Sequence, residues 1–207
     1  MDEAKSTSTV ETNAAPSALC SDATLAARAC AGDEAAFEEL FNRHRRRVAL
    51  IAGRFFRRRE QIEEIVQESF TKAYFALKDF VNAQEQSFAA WIARIAFNAC
   101  YDELRRAARR PENATGEPSD EEAEWLREKA FVAGPEHDVE ASAIARDLAE
   151  KLLSRLNPED RLLLVMLEVE EMSVAEIAAI TRWSPSKVKV RAHRARLALR
   201  RALRRLL

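Results

Sequence analysis

The sequence predicts an all-α protein with two small helical domains that are joined by a flexible acidic linker. Its 207 residues are 47% hydrophobic and 32% charged, with only 4 Gly and 6 Pro, and the abundance of Ala, Leu, Glu and Arg favours helices. Apolar residues recur at intervals of three and four positions before residue 110 and again after residue 139. Between these segments, residues 111–138 are rich in acids, Pro and Gly, which is typical of a linker.

The first domain is predicted over residues 22–110, after a polar N-terminal arm. Residues 1–21 are small and polar without periodicity, so they cannot bury enough apolar surface to offset their ordering entropy, and we expect them to be disordered. Residues 22–110 fit four to five amphipathic helices. Asp33 and Ser87 are predicted N-caps, and the polar run Val81–Ser87 is a predicted interruption between two helices.

The second domain is predicted over residues 139–207. Within the linker that precedes it, we expect at most a short helix around Trp125–Phe131. Capping residues and first-turn prolines define the helices of the second domain. These predicted helices are Val139–Leu156, one from the Asn157 cap to about Glu171, one from the Ser173 cap to Ile180, and one from the Ser184 cap towards Leu207.

The last two of these helices have the layout of a helix-turn-helix. A helix of about eight residues is followed by a short turn and a longer helix that is rich in Lys and Arg. The second helix of such a motif lies in the major groove of DNA, with its N-terminal residues against the base edges. Arg182 occupies the turn position that is commonly a left-handed Gly, so we expect a modest penalty or a distorted turn. The alternative is an ordinary helical hairpin with a solvated charged face.

The net charge of −1 conceals a segregation of charge along the chain. Residues 182–207 contain 10 basic and no acidic residues, residues 41–60 contain 8 basic residues and 1 acidic residue, and residues 111–140 contain 2 basic and 10 acidic residues. The C-terminal block is a candidate polyanion contact, because each Lys or Arg beside a phosphate releases condensed counterions. The block at 43–59 fits a nucleic-acid face, a membrane-surface helix or a solvated helix side.

A third basic stretch, at residues 94–110, is interleaved with aromatic side chains. Phe88, Trp91, Phe97 and Tyr101 lie beside or between arginines such as Arg94. Aromatic rings beside a basic groove suit the unstacked bases of single-stranded DNA. Alternatively the rings are core residues of the bundle, and this applies first to Phe88 and Trp91.

Enzymatic function is disfavoured, and we expect neither a cofactor nor a metal. His44, His137 and His193 are scattered, and the chain lacks the common catalytic motifs and Gly-rich phosphate loops. The three cysteines have no metal-ligand spacing, which indicates reduced thiols. One carboxylate cluster could support acid–base chemistry or bind a metal, but a solvated or partner-facing helix is favoured because no His is close in sequence. This cluster consists of Glu63, Glu64 and Glu68.

The sequence contains no predicted membrane span. No apolar run approaches the roughly 18–20 residues that a span needs, and the first thirty residues lack a basic start followed by an apolar stretch. We therefore expect a cytoplasmic protein that does not insert into membranes.

Four segments carry a family resemblance in chain order. They are DEAAFEELFNRHRRRVALIAGRF, EEIVQESFTKAYFALKDF, SFAAWIARIAFNACYDELRR, and LNPEDRLLLVMLEVEEMSVAEIAAI followed by SPSKVKVRAHRARLALRRAL. Together they resemble the extracytoplasmic-function (ECF) group of bacterial RNA polymerase sigma factors, in the sigma-70 family. The resemblance implies that residues 22–110 form sigma region 2, which binds polymerase and reads and melts the −10 element. It implies that residues 139–207 form sigma region 4, which reads the −35 element.

The resemblance also implies roles for individual residues. The polymerase-binding pattern falls on Glu64, Gln67 and Glu68, with Phe70 expected to pack inward. The −10 pattern falls on Trp91, Asn98, Asp102, Arg105 and Arg106. The −35 pattern falls on Ser186, Lys187, Lys189, Val190, Arg191 and Arg194. The run Val81–Ser87 corresponds to the loop that captures a flipped base of the non-template strand in the family.

This sequence departs from the family pattern at three of these positions. Glu64 replaces the usual Asp, Arg182 replaces the turn Gly, and Lys187 occupies a position that is often Thr. The first change is chemically mild, whereas the other two affect the expected −35 sequence preference.

The implied function is that of a sigma factor, which binds bacterial core RNA polymerase and directs promoter-specific initiation in a stress response. Region 2 would drive DNA opening by trapping extruded bases, while region 4 contacts duplex phosphates and base edges. The linker would pass through cationic channels of the polymerase or serve only as a solubilising tether, and an anti-sigma factor is an implied partner. The alternatives are a helix-turn-helix regulator that binds duplex alone and a helical adaptor that binds acidic proteins or membrane.

Overall fold

The computed structural model describes residues 20–83, 87–109, 149 and 151–205, and every regular element in these ranges is an α-helix. Five helices form the first bundle: α1 (Asp22–Cys30), α2 (Glu34–Gly53), α3 (Arg59–Phe75), α4 (Leu77–Ala83) and α5 (Phe88–Arg109). The second bundle contains α6 (Pro158–Glu168), α7 (Val174–Thr181) and α8 (Pro185–Leu203). The all-α prediction is confirmed.

The helices of the first bundle begin where the sequence supplies caps. The Asp33 carboxylate accepts a hydrogen bond of 3.1 Å from the backbone N–H of Ala36 at the start of α2. The Ser87 hydroxyl accepts a 3.2 Å bond from the N–H of Ala90 at the start of α5. Both predicted N-caps are confirmed, and each satisfies an N–H group that would otherwise lack a partner within the helix.

The central helix of the first bundle is α5, which packs against α2 and α3. Phe88 and Phe97 are fully buried on it. The Trp91 ring lies 5.1 Å from the ring of Phe80 and 5.4 Å from that of Phe88, between ring centres. Phe88 and Trp91 are therefore core residues, as in the second of the two interpretations of these rings.

The polar interruption before α5 is shorter than the predicted run Val81–Ser87. Helix α4 continues to Ala83, because Phe80 is buried and Val81 packs against the same core. Residues 84–86, in the middle of the predicted loop, lie outside the described residues.

Helices α6, α7 and α8 of the second bundle each begin at a predicted cap. The side chains of Asn157, Ser173 and Ser184 accept bonds from backbone N–H groups in the first turns of α6, α7 and α8. Glu176 completes the predicted capping box by accepting a 2.8 Å bond from the N–H of Ser173. The core between these helices is apolar and includes Leu162, Leu163, Met166, Ile177 and Val188.

Helix α6 ends at Glu168, three residues before the predicted limit of about Glu171. The backbone of Glu171 is left-handed, with φ of 51°, and the next N–H, of Met172, bonds back to the carbonyl of Met166 at 2.9 Å. A left-handed residue followed by such a backward bond is a common way for a helix to end. The early end reflects a backbone conformation that the residue type did not indicate.

Several predictions fall wholly or partly outside the described residues. These are the arm at 1–21 except Cys20 and Ser21, the linker at 111–138 with its possible helix, and most of the predicted helix Val139–Leu156. Residues 151–153 are helical, and a turn at 154–155 ends that helix before Leu156.

The two bundles contact each other, because α5 also packs against α6 and α7. The buried residues of both bundles form one continuous apolar cluster. In the described ranges, no helix combines the length and the apolar character that a bilayer crossing requires.

Candidate polymerase- and DNA-binding surfaces

The predicted polymerase contacts lie together on one exposed face of α3. Residues three and four positions apart on a helix are neighbours, which brings Glu64, Gln67 and Glu68 onto one side. Glu64 and Gln67 are exposed, and Glu68 is half-buried beside Lys72, whose Nζ lies 2.7 Å from its carboxylate. Phe70 is buried, as expected. The face is acidic and open to a partner.

An aromatic pair is exposed at the end of α3. Phe75 fits the apolar periodicity of the first domain, yet its side chain is 80% exposed, and its neighbour Tyr74 is also exposed. The Phe37 ring packs on the Tyr74 ring at 5.0 Å, so Tyr74 reaches the bundle while Phe75 does not. Adjacent residues on a helix differ by about 100° in direction, so the two neighbouring rings face different sides of α3.

The predicted −10 contacts are distributed over two sides of α5. Trp91 is 9% exposed and belongs to the core. Asn98, Asp102 and Arg105 are half-buried, and Arg106 is exposed and paired with Glu103. Because residues at spacings of four, three and four share a helix side, Arg94, Asn98, Tyr101 and Arg105 form one line along α5. We call these four residues the α5 stripe.

Tyr101 is the aromatic residue of the α5 stripe. The Arg105 guanidinium carbon lies 5.7 Å from the centre of its ring, within the range of a cation–π contact. Burial and the nearby Glu159 carboxylate raise the pKa of Tyr101, so the phenol stays neutral at physiological pH. Burial also raises the pKa of the adjacent Cys100 thiol to about 12, which makes this cysteine an unreactive core residue.

Five of the six predicted −35 residues are exposed at the start of α8. Ser186, Lys187, Lys189, Val190 and Arg194 all reach solvent, and the Val190 side chain is 49% exposed although it is apolar. The helix keeps its position through the opposite side, where Val188, Ala192 and Ala195 are buried. The exposed side has the cationic and apolar groups that contact phosphates and base edges in a major groove.

Arg191, the sixth predicted −35 residue, is bound within the second bundle. Its Nε donates to Asp160 at 2.7 Å, its Nη1 donates to Glu159 at 2.6 Å, and its guanidinium carbon lies 4.2 Å from the centre of the Trp183 ring. These carboxylates raise the pKa of Arg191 against the opposing effect of burial. Arg191 therefore fixes α8 to the first turn of α6 and to the turn of the helix-turn-helix.

The turn of the helix-turn-helix keeps a left-handed residue without Gly. Arg182 has φ of 57° and ψ of 29°, which is the conformation that Gly commonly supplies at this position. The left-handed conformation is present as expected, and residues 182–184 form a three-residue connection between α7 and α8. Thr181 is buried and its hydroxyl donates to the carbonyl of Ile177 at 2.7 Å, which closes α7 beside Arg182.

Three functional side chains were missed by the sequence reasoning. Trp183 contacts Arg191 and Lys187 of α8, and its ring centre lies 5.8 Å from that of Tyr101. Glu159 and Asp160 were interpreted only as favourable charges in a first helical turn, whereas they also bind Arg191. The sequence signal that could have indicated these contacts is the acidic pair in the first turn of α6, two helices before the basic helix α8.

The scattered histidines take structural or exposed positions where they are described. His44 Nε2 lies 2.7 Å from an Asp22 carboxylate oxygen, and its ring centre is 5.0 Å from that of Phe88. His193 is exposed on α8, and His137 lies outside the described residues. Within the described part of the chain, no three His, Cys, Asp or Glu side chains are grouped as metal ligands.

Two family models match separate parts of the chain. A family model described as sigma-70 region 2 matches residues 40–110, and one described as sigma-70, region 4 matches residues 146–199. The chain is 32% identical over 183 residues to the ECF RNA polymerase sigma factor SigM of Mycobacterium tuberculosis, which covers 88% of this chain and 85% of that protein. It is 28% identical to the ECF sigma factor SigW of Bacillus subtilis, over 84% of this chain and 91% of that protein.

A solved structure has a similar fold and topology. The structure of CnrH in complex with the cytosolic domain of CnrY matches with a TM-score of 0.51 and 29% identity, and the match covers 88% of this chain and 96% of that chain. Both matched regions fall inside the two predicted domains, in the expected order. The chain therefore belongs to the ECF RNA polymerase sigma factors of the sigma-70 family, which act in promoter-specific transcription initiation.

Proposed function

We propose that this sigma factor binds core RNA polymerase through the acidic face of α3, reads the −10 element with α5 and reads the −35 element with α8. It acts in the cytoplasm and has no catalysis of its own. The observation that carries the proposal is that α3 and α8 each present a group of exposed side chains of the required charge on one side. The two groups have opposite charge, which suits a protein partner for one and DNA for the other.

The α3 face suits a basic groove on the polymerase. Glu64 and Gln67 are exposed, and their side chains can pair with Arg or Lys side chains and backbone groups of a partner. Glu68 pairs with Lys72 at an i, i+4 spacing, and such an exposed pair is weak enough to exchange for a partner contact. The exposed ring of Phe75, at the end of the same helix, would add apolar contact area.

The α5 surface suits the melted −10 strand. Asn98 can form hydrogen bonds with a base or the backbone, and Arg105 and Arg106 can hold phosphates. Trapping an extruded base offsets an unstacking cost of a few kcal/mol. Since Trp91 is packed in the core against Phe80 and Phe88, its proposed contribution is to support the −10 surface from behind.

The α8 surface suits the −35 duplex. Lys187, Lys189 and Arg194 are exposed near the N-terminal half of the helix, where base edges and phosphates are reached in a major groove. Val190 can contact a thymine methyl group. Arg191 is held by Glu159, Asp160 and Trp183, so we propose that it orients α8 and that sequence reading falls to the exposed residues around it.

Further partners follow from the same proposal. The acidic linker at 111–138 would occupy cationic channels of the polymerase, since its acids can imitate a nucleic acid. The solved relative CnrH is in complex with the cytosolic domain of CnrY, which supports a protein inhibitor, an anti-sigma factor, for this chain as well.

The test is whether the purified full-length chain comigrates with core RNA polymerase and programs run-off transcription from a genomic promoter library. We expect both, with start sites that share a −35/−10 pair. Replacing Gln67 and Glu68 together by Ala should weaken polymerase binding at least roughly tenfold, as expected for a few lost charged contacts. The duplex DNA affinity of the full chain should not change.

A matched control is Glu38→Ala, which removes an exposed carboxylate from α2 and should leave polymerase binding intact. Equal losses of polymerase and DNA binding in the Gln67/Glu68 variant would contradict the surface assignment. A chain that ignores polymerase yet shifts duplex DNA would be a stand-alone regulator.

A further inference from the structure

We propose that His44 is a positioning residue for DNA opening: Asp22 of α1 orients its ring, and the ring in turn fixes Phe88 at the start of α5. This inference rests on the proposed role of α5 in reading the −10 element. It extends that role to α1, whose residues lie before the segment that matches sigma-70 region 2.

The first part of this arrangement is a polar contact between α1 and α2. His44 lies on α2 with a side chain that is only 12% exposed, and its Nε2 donates to a carboxylate oxygen of Asp22 at 2.7 Å. The other oxygen of Asp22 accepts a 3.1 Å bond from Arg43, which also donates to the carbonyl of Cys20 at 2.8 Å. Hydrogen bonds to an ionised group are strong, so Asp22 is held in place where it meets His44.

The second part is the contact of the His44 ring with the aromatic core. The ring centre lies 5.0 Å from that of Phe88, the first residue of α5, which is 1% exposed. Phe88 packs edge to face on Phe80 at 5.3 Å, and Trp91 lies against both rings. We call Phe80, Phe88 and Trp91 the aromatic cluster. His44 contacts this cluster through Phe88, and Asp22 holds the ring that makes the contact.

The aromatic cluster joins two helices that the polar run Val81–Ser87 separates in the chain. Phe80 belongs to α4, which ends at Ala83, and Phe88 directly follows the Ser87 cap of α5. The contact between the two rings therefore fixes the end of α4 relative to the start of α5. Helix α1 packs against α4 as well as α2, so it holds this junction from both helices.

The aromatic cluster also lies under the proposed −10 surface. Trp91 is a core residue of α5, and Asn98 follows it two turns later on the same helix. A shift of the first turn of α5 would therefore displace the groups that meet an extruded base. The proposed polymerase contacts lie on α3, so a change at His44 should act on DNA opening and leave polymerase binding intact.

A polar side chain at position 44 carries a cost that an apolar one would avoid. An apolar side chain could cover Phe88 without a partner, whereas a buried imidazole N–H is costly unless it is hydrogen-bonded. The bond to Asp22 meets this requirement and selects one orientation of the ring. The position of α1 is thereby transmitted to α5 through a directional contact.

The test is a double-mutant cycle in the full-length chain with core polymerase. Asp22→Ala removes the acceptor, whereas His44→Phe keeps a ring against Phe88 and removes the donor. Opening is followed by the fluorescence of 2-aminopurine that replaces an adenine of the −10 element, in a promoter recovered by the run-off experiment. Polymerase binding is measured separately, by titration of the labelled chain.

We expect each single variant to open the promoter roughly tenfold more slowly, as for one lost hydrogen bond to a charged group. The double variant should be no slower than either single variant, because both changes remove the same contact. The affinity for polymerase should be that of the wild type in all three variants.

The matched control is Asp33→Ala. Asp33 is 34% exposed where Asp22 is 29% exposed, and it caps α2 and pairs with Arg28 in the same bundle. Its loss should lower the stability of the bundle, because the cap is removed, but should leave the opening rate unchanged. All variants are compared at a temperature at which circular dichroism shows them to be folded.

Additive effects of Asp22→Ala and His44→Phe on opening would overturn the proposal. So would equal losses of opening and of polymerase binding, or slow opening in Asp33→Ala, since these patterns indicate a general loss of structure. If His44→Phe does not fold, the comparison of Asp22→Ala with Asp33→Ala still decides, because it leaves the His44 ring in place.

Failure of the proposed function is distinguishable from failure of this inference. A wild-type chain without polymerase-dependent run-off would overturn the proposed function and this inference with it. Normal run-off by the wild type, with unchanged opening in Asp22→Ala, would overturn the positioning role of His44 alone.

Discussion

The two helices that carry the proposed DNA contacts, α5 and α8, use their surfaces in opposite ways. Nine of the 22 residues of α5 are buried, whereas only Val188, Ala192 and Ala195 are buried among the 19 residues of α8. A DNA-binding surface on a core helix is limited to the few residues on the exposed side of that helix. A surface helix keeps most of its residues exposed. Arg94 and Tyr101 of α5 accordingly contact the second bundle, while Lys187, Lys189 and Arg194 of α8 stay exposed.

The largest expected effect comes from the removal of a core side chain from α5. Phe97→Ala empties a fully buried site between α5 and the rest of the first bundle, and we expect a loss of about 3–5 kcal/mol of unfolding free energy. Urea unfolding followed by circular dichroism measures it. Val188→Ala is the matched change in the core side of α8, and it should cost less because two methyl groups are removed instead of a ring.

A loss of similar size in the two variants would contradict the view that α5 depends more on its core than α8 does. Transcription with polymerase should be lost in Phe97→Ala at temperatures where the first bundle is unfolded.

The second prediction tests the difference between Arg191, which is held by carboxylates, and Arg194, which is exposed on α8. Arg191→Ala should cost about 1–3 kcal/mol of unfolding free energy, because Glu159 and Asp160 lose their charged partner. The salt dependence of duplex binding should stay as in the wild type. Arg194→Ala should instead leave stability unchanged and reduce the slope of log affinity against log salt by about 0.9, as for one lost phosphate contact.

Titrating duplex DNA at several salt concentrations separates the two roles of these arginines. If Arg191→Ala reduced the slope as much as Arg194→Ala, the guanidinium of Arg191 would leave its carboxylates when DNA binds.

Much of the fold could be predicted from the sequence because caps and apolar periodicity are local signals. Asp33, Ser87 and Ser184 begin helices as predicted, since a capping side chain satisfies N–H groups within its own turn. The contact of Tyr101 with Trp183 joins residues that are far apart in the chain, and no local pattern indicates it. The same holds for the contact between Arg191 and Asp160, which are also far apart in the chain. An arginine of the type that contacts DNA is thereby held within the second bundle.

The third prediction concerns Glu176, which links the capping box of α7 to the α5 stripe. Bonds from Ser173 and the nearby Arg94 lower the pKa of Glu176, so its contribution is present above the pKa of the unfolded chain and is lost as the pH falls through the folded pKa. Glu176→Gln should therefore be less stable than the wild type at pH 7, by about 0.5–1 kcal/mol for a partly exposed pair. The difference should vanish in acid.

Urea unfolding of both proteins between pH 7 and pH 2.5 gives this difference directly. A constant difference across that range would mean that the amide disturbs the capping box itself and that the charge on Glu176 contributes little.

The smallest expected effect concerns the turn that orients α8. Arg182 has a left-handed backbone that costs a residue with a Cβ about 1–2 kcal/mol, whereas Gly adopts it without strain but loses about 0.5–1 kcal/mol more entropy on folding. Arg182→Gly should therefore stabilise the second bundle by up to about 1 kcal/mol, measured by thermal unfolding. Glu171→Gly, at φ of 51° after α6, is the matched change and should have the same sign. A loss of stability in Arg182→Gly alone would show that the arginine side chain stabilises the turn by more than its backbone strain costs, and the departure from Gly would then be a stabilising feature of this helix-turn-helix.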